Sequence, residues 1–248
     1  LIIGAGRGEN FIASDVPAIL KHTRDVYRLG ERELAILTKD GVTVINSYGE
    51  RVNCVYEHID WDASAAEKCG YPHFMIKEIM EQPEAIAKTI APRISNGRIE
   101  LGFKHITAEM LKKVNSIKII GCGSAYHVGF VAGYFMRAAL RIPVESVLAS
   151  EFRYDDPIVD ENTLAIVISQ SGETLDTLYG LREAKKHGAK TIAIVNVVGS
   201  TIANESEDVL YTWAGPEIAV ATTKAYSTQL VLIHLLMLCI AQAQGKMS

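Results

Sequence analysis

Leu164-Ala165-Ile166-Val167-Ile168 runs directly into Ser169-Gln170-Ser171-Gly172-Glu173-Thr174, and Leu175 to Lys186 then continues as an amphipathic helical pattern. A short, unbroken apolar run bounded by polar residues reads as a strand buried on both faces, the kind found in parallel sheets. The polar hexapeptide therefore sits where a strand gives way to a helix. The first turn of a helix has unpaired N–H groups and a partial positive charge, so it attracts an anion, and Ser, Gln and Thr side chains add donors around it. Gly172 allows close backbone approach, and no Lys or Arg lies within the loop. Helix capping is the other reading, since Ser171 and Thr174 are spaced as in a capping box. One cap needs one hydroxyl, whereas Ser169, Gln170, Ser171 and Thr174 all carry hydrogen-bonding side chains. Chemistry alone leaves both readings open.

The same alternation extends in both directions. Strands are predicted at Ile117 to Gly121, Val144 to Leu148, Thr163 to Ile168, Thr191 to Val195 and Val209 to Thr212. Helices are predicted at Ala125 to Leu140, Thr174 to His187, a short stretch near Thr201, and Thr222 to Gln244. This is the pattern of an α/β fold: a doubly wound, parallel, five-stranded sheet of the flavodoxin-like kind. Ligands of such sheets bind outside the carboxyl ends of the strands, which singles out the loops after Ile120 and Ile168. The first is Gly121-Cys122-Gly123-Ser124-Ala125-Tyr126.

Up to Ile59 the chain is β-rich instead, with Glu33 to Thr38 and Val42 to Asn46 flanking Lys39-Asp40-Gly41, where Asp-Gly suggests a positive-φ hairpin turn. A further strand is expected from Arg51 to Tyr56. Apolar periodicity vanishes from Asp60 to Tyr71, which places a domain boundary there. Two helical connectors, Phe74 to Glu81 and Pro83 to Ile90, then lead to the α/β part. The chain opens on Leu1-Ile2-Ile3-Gly4, which reads as a strand already under way, as in a piece of a longer protein.

With 248 residues, 48% hydrophobic and 22% charged, the chain has the composition of an ordinary globular protein. Its formal net charge of −4 offers no general attraction to nucleic acid or to an anionic membrane, so recognition of phosphate must be local. Cys54, Cys69, Cys122 and Cys239 form no CxxC pair, which argues against a disulfide framework and a thiolate metal site and suits a reducing cytoplasm. The longest apolar stretch, Leu230 to Ile240, is short for a membrane span and reads as a buried helix. His127 and His234 read as packed core or interface residues.

Ser169-Gln170-Ser171-Gly172-Glu173-Thr174 after an apolar strand resembles the phosphate loop of sugar-isomerase (SIS) domains. Gly121 to Tyr126, Ser150-Glu151-Phe152-Arg153-Tyr154, Gly215 to Lys224 and Gly8 to Asp15 resemble, in that order and spacing, the glutamine-dependent fructose-6-phosphate aminotransferase family. The resemblance implies that residues 1–60 end an N-terminal-nucleophile glutaminase domain, 61–100 connect, and 101–248 form the first SIS domain. It implies a sugar-phosphate site made of Cys122, Gly123, Ser124, Ser169, Gln170, Ser171, Thr174 and Val220, the last through its backbone. Where some members carry Ser, this chain has Ala125. The implied ligand is fructose 6-phosphate or glucosamine 6-phosphate, with no cofactor and no metal, in a cytoplasmic homodimer. The family's catalytic groups would lie outside this chain, so it would bind without turning over. The alternative is a non-catalytic SIS-domain sensor of sugar phosphates, yet no basic helix-turn-helix accompanies the domain. A dinucleotide site is disfavoured, because Tyr126 replaces the third glycine after Gly121-Cys122-Gly123 and Glu145 lies inside an apolar strand.

Overall fold

The computed structural model describes the chain except for Asp15, Pro17, residues 60–67, Asn96 and Ser248. Most of the expected boundary segment thus lies outside the described residues. The chain divides into two compact units, Leu1–Phe74 and Met75–Ser248.

The first unit holds β1 (Ile2–Ala5), β2 (Asn10–Ala13), β3 (Asp25–Arg28), the hairpin of β4 (Leu34–Thr38) and β5 (Gly41–Ile45), and the short β6 (Glu57–His58). Its main sheet runs β2-β1-β3-β6, antiparallel throughout, over a small core of Ile2, Val16, Ile19, Leu20, Val26 and Ile59. Two expectations need correction. Thr38 pairs with Gly41, so the turn is Lys39-Asp40, and neither Asp40 nor Gly41 takes a positive φ. Gly41 opens β5 instead of closing the turn. Nor does a strand run from Arg51 to Tyr56: Arg51 makes one isolated bridge to Ile45, and Val55 points out to solvent at 80% exposure. Val52 N–H donates to Val44 O at 2.9 Å, so the segment touches the free edge of β5 only at its start, and beyond it Val55 buries no face.

The division falls at the first residue of α1 (Phe74–Ile90), a single helix that runs through Pro83 where two were expected. Proline removes the N–H that would satisfy the carbonyl four residues earlier. Here the Gln82 side-chain amide donates to that carbonyl, Ile79 O, at 3.0 Å, so the helix continues. A small hairpin, β7 (Ile94–Ser95) and β8 (Arg98–Ile99), leads to α2 (Ala108–Lys113). Then come β9 (Ser116–Gly121), α3 (Gly123–Leu140), β10 (Val144–Leu148), α4 (Ala149–Phe152), β11 (Thr163–Ser169), α5 (Leu175–Lys186), β12 (Lys190–Val195), α6 (Thr201–Glu205), β13 (Asp208–Tyr211) and α7 (Lys224–Ala243).

The five strands form one parallel sheet in the order β10-β9-β11-β12-β13. Every residue of the central strand β11 is buried, and its side chains divide by parity. Leu164, Ile166 and Ile168 join α2, α3 and α7 on one face, with Val128, Met136, Leu232 and Leu236. Ala165 and Val167 join α4, α5 and α6 on the other, with Phe152, Leu181 and Ile202. The period-two alternation of strand side chains, apolar on both sides, is what makes the sheet doubly wound. By length and composition α7 could cross a membrane, but half of that window is buried, as in a core helix. His127 is exposed on α3 and so lies outside this core, while His234 is half-buried against the Phe135 ring at 4.7 Å.

Candidate functional site

Strand order reverses between β9 and β11: the chain winds from β9 to β10 on one side and from β11 to β12 and β13 on the other. Adjacent connections diverge at such a point and leave a crevice at the carboxyl ends. Ile168 pairs with Gly121, so the loops after the two strands start side by side. Between them opens a cavity of about 190 Å³.

The second loop is closed by its own hydroxyls. Gly172 donates its N–H to Ser169 Oγ at 3.0 Å, Glu173 donates its N–H to Ser171 Oγ at 3.2 Å, and Ser169 Oγ lies 3.0 Å from Thr174 Oγ1. Neighbouring elements hold it in place. Asn196 N–H donates to Gln170 O at 3.0 Å, and Ile202 N–H donates to Gly172 O at 3.0 Å. Gly172 sits at φ +67°, and a Cβ there would stand 2.0 Å from Ser200 Oγ, so only glycine fits. The loop's acidic residue is turned to another use: Glu173 accepts from Thr201 N–H and from its hydroxyl, at 2.9 and 2.8 Å, at the start of α6. Arg182 ties α5 to Glu205 of α6 through two hydrogen bonds of 2.9 and 2.7 Å, and this pairing holds the Glu205 carboxyl below its usual range.

Thr174 is the N-cap of α5 and Cys122 the N-cap of α3, yet neither side chain caps its helix. By contrast, α7 has its first turn engaged, because Glu217 accepts from Thr223 N–H and Ala225 N–H at 2.9 and 3.2 Å. Capping therefore does not explain the hydroxyls of the loop after β11. Ser171 Oγ accepts from the backbone and keeps its proton for a ligand, and the Ser124 and Gln170 side chains add further donors. No charged side chain lines the cavity among the described residues. The site is thus a set of neutral donors at two uncapped helix starts, an arrangement that favours an anion.

Of the residues singled out from sequence, Cys122, Ser124, Ser169, Gln170, Ser171 and Thr174 line this cavity together. Gly123 begins α3 at φ +54° and Val220 is fully exposed; neither is on the lining. Ala125, Ile168, Thr222 and Gln229 complete it. Thr222 and Gln229 were missed by sequence reasoning. Thr222 donates its hydroxyl to Glu217 at 2.8 Å, which leaves its lone pairs for the cavity. Lys224 does not serve the site: it is buried and its Nζ pairs with Glu81 at 2.7 Å.

The SIS domain family model matches residues 110–239, which contain the whole parallel sheet and both loops. The chain belongs to the SIS domain family. Similarity extends beyond the SIS domain itself. The isomerizing glutamine-fructose-6-phosphate aminotransferase of Clostridium tetani is 55% identical over 249 residues, covering all of this chain and 41% of that protein. The chain thus spans about two fifths of the length of this curated relative. Among solved structures, the C-terminal domain of glucosamine-fructose-6-phosphate aminotransferase from Francisella tularensis is similar with a TM-score of 0.70 and 41% identity, over 73% of this chain and 51% of that one. Glucosamine-6-phosphate deaminase from Thermotoga maritima is similar with a TM-score of 0.55 and 26% identity, over 68% of this chain and 49% of that one.

Proposed function

We propose that this SIS domain holds the phosphate of fructose 6-phosphate or glucosamine 6-phosphate, as the sugar-phosphate site of an enzyme that converts fructose 6-phosphate and glutamine to glucosamine 6-phosphate and glutamate. The observation that carries the proposal is the convergence of Ser124, Gln170, Ser171 and Thr174 on one cavity between two uncapped helix starts, with no acidic side chain opposing an anion. Ser169 orders the loop, the backbone at Gly123 contributes at the start of α3, and Cys122 forms the wall. Thr222, with only lone pairs to offer, suits a sugar hydroxyl as donor. Val220 takes part through its backbone. The whole-chain similarity to the aminotransferase supports this choice of sugar phosphate.

Among the described residues the lining holds no carboxylate, imidazole or amine, so it binds and orients, and proton transfer between C1 and C2 requires groups from elsewhere. The 248-residue chain alone binds without turnover. Residues 1–60 close a glutaminase domain, 61–100 connect, and 101–248 are the first SIS domain. The protein works in the cytoplasm, consistent with four free cysteines, and as a homodimer, for which the exposed Phe130, Tyr134 and Phe135 of α3 offer an apolar face.

Each hydrogen bond to a charged group contributes about 1.5 to 3 kcal/mol, while association costs about 4 to 15 kcal/mol. Three or four such contacts supply about 5 to 12 kcal/mol, comparable to that cost, so the isolated site binds weakly. Calorimetric titration of the chain with fructose 6-phosphate and with fructose tests the proposal: the phosphorylated sugar binds measurably better. Equal affinities would overturn it.

A further inference from the structure

Gln229, on α7, is 3% exposed, lines the cavity, and makes no side-chain hydrogen bond among the described residues. Its two donors and one acceptor find no partner among the described protein groups and are open to whatever enters the cavity. Its surroundings supply no reason for an amide. Ala225, Leu232 and Leu236 lie on the same side of α7 at intervals of three and four residues, and all are buried. Thr228, the neighbouring polar residue, satisfies its hydroxyl within the helix on Lys224 O and Ala225 O at 2.9 and 3.0 Å. A leucine at 229 would extend the apolar face without loss. The cavity's other buried polar side chain, Ser169, is fully engaged in ordering its loop.

We infer that Gln229 is a phosphate-binding, specificity-determining residue, whose side-chain N–H groups donate to the ligand's phosphate from the α7 wall of the cavity. The inference rests on the sugar-phosphate reading of the site. An amide supplies donors without a counter-charge, in keeping with a site that lines its anion with neutral groups. A ligand in the cavity engages the amide, which gives this position a reason for a polar side chain that packing does not supply.

The test uses Gln229→Leu and Gln229→Glu, with inorganic phosphate and fructose 6-phosphate as probes and melting temperature measured alongside. In Gln229→Leu, affinity for both probes falls about tenfold, while melting temperature stays the same or rises. A residue with a merely structural role would show the reverse. Gln229→Glu keeps the shape, places a carboxylate against the phosphate, and weakens both probes more than Gln229→Leu does. Unchanged affinity for both probes in both variants would overturn the inference, as would a loss confined to fructose 6-phosphate with inorganic phosphate unaffected. Failure of the wild-type chain to bind either probe would instead refute the sugar-phosphate reading itself.

Discussion

Ile218 donates its backbone N–H to the carboxylate of Glu78 at 2.7 Å, and Ala219 donates to the same oxygen at 3.1 Å. Glu78 is buried on α1, and its other oxygen, Oε2, has no partner among the described residues. The segment it holds leads directly to Thr222, so α1 positions one wall of the cavity. We predict that Glu78→Ala frees residues 217–222, costs about 2 to 3 kcal/mol of stability, and weakens fructose 6-phosphate binding several-fold. Denaturant titration and calorimetry on the same preparation check both effects. Full affinity in a destabilised variant would show that α1 supports the fold without positioning the site.

The uncapped Thr174 separates binding from capping more sharply than the sequence could. Thr174→Ala and Ser171→Ala each lower fructose 6-phosphate affinity about tenfold, while each loses one loop hydrogen bond, Ser169 Oγ with Thr174 Oγ1 or Glu173 N–H to Ser171 Oγ, and no cap of α5. Thr107→Ala is the contrasting variant. Thr107 accepts from Met110 N–H at 3.2 Å and so caps α2, which leads into the start of β9 and lies away from the cavity. It should lose about 1 kcal/mol of stability and keep full affinity.

Gly172→Ala combines a left-handed backbone with a clash. The backbone term is about 1 to 2 kcal/mol, and overpacking against Ser200 adds about 1 to 3 kcal/mol. The variant should lose about 2 to 5 kcal/mol of stability by this sum, together with sugar-phosphate binding. Adding Ser200→Gly removes the atoms that a new Cβ would meet at 2.0 and 2.5 Å and recovers the steric share only. Complete recovery would mean that φ +67° carries no strain.

The parallel sheet was legible because its strands are continuous apolar runs between polar punctuation. Val144 to Leu148 has the observed bounds, and β11 differs from its reading by one residue, Ser169. The loops were legible for the same reason: each follows such a strand. Thr222 and Gln229 were not, because they reach the cavity from a distant loop and helix, and contiguity in sequence carries no sign of it. Gln229 did leave a trace, as a polar residue among Ala225, Leu232 and Leu236 on the buried side of α7. Pro83 misled in the other direction, since the Gln82 amide that rescues Ile79 O depends on side-chain geometry that composition does not encode. The β-rich segment was least legible, because its short strands carry little apolar pattern.

In the proposed function, one cavity at the switch point of the sheet holds the phosphate. Amide chemical-shift mapping of the isotopically labelled 248-residue chain with fructose 6-phosphate tests it most directly. The largest changes are expected at Ser124, at Gln170 to Thr174, and at the Gln229 side-chain amide, with smaller and similarly placed changes for inorganic phosphate. A second cavity, of about 200 Å³, lies between Met110, Lys113, Glu161 and Lys190, at the opposite end of the strands. Changes centred there or within residues 1–74, with the loop after β11 unmoved, would contradict the account.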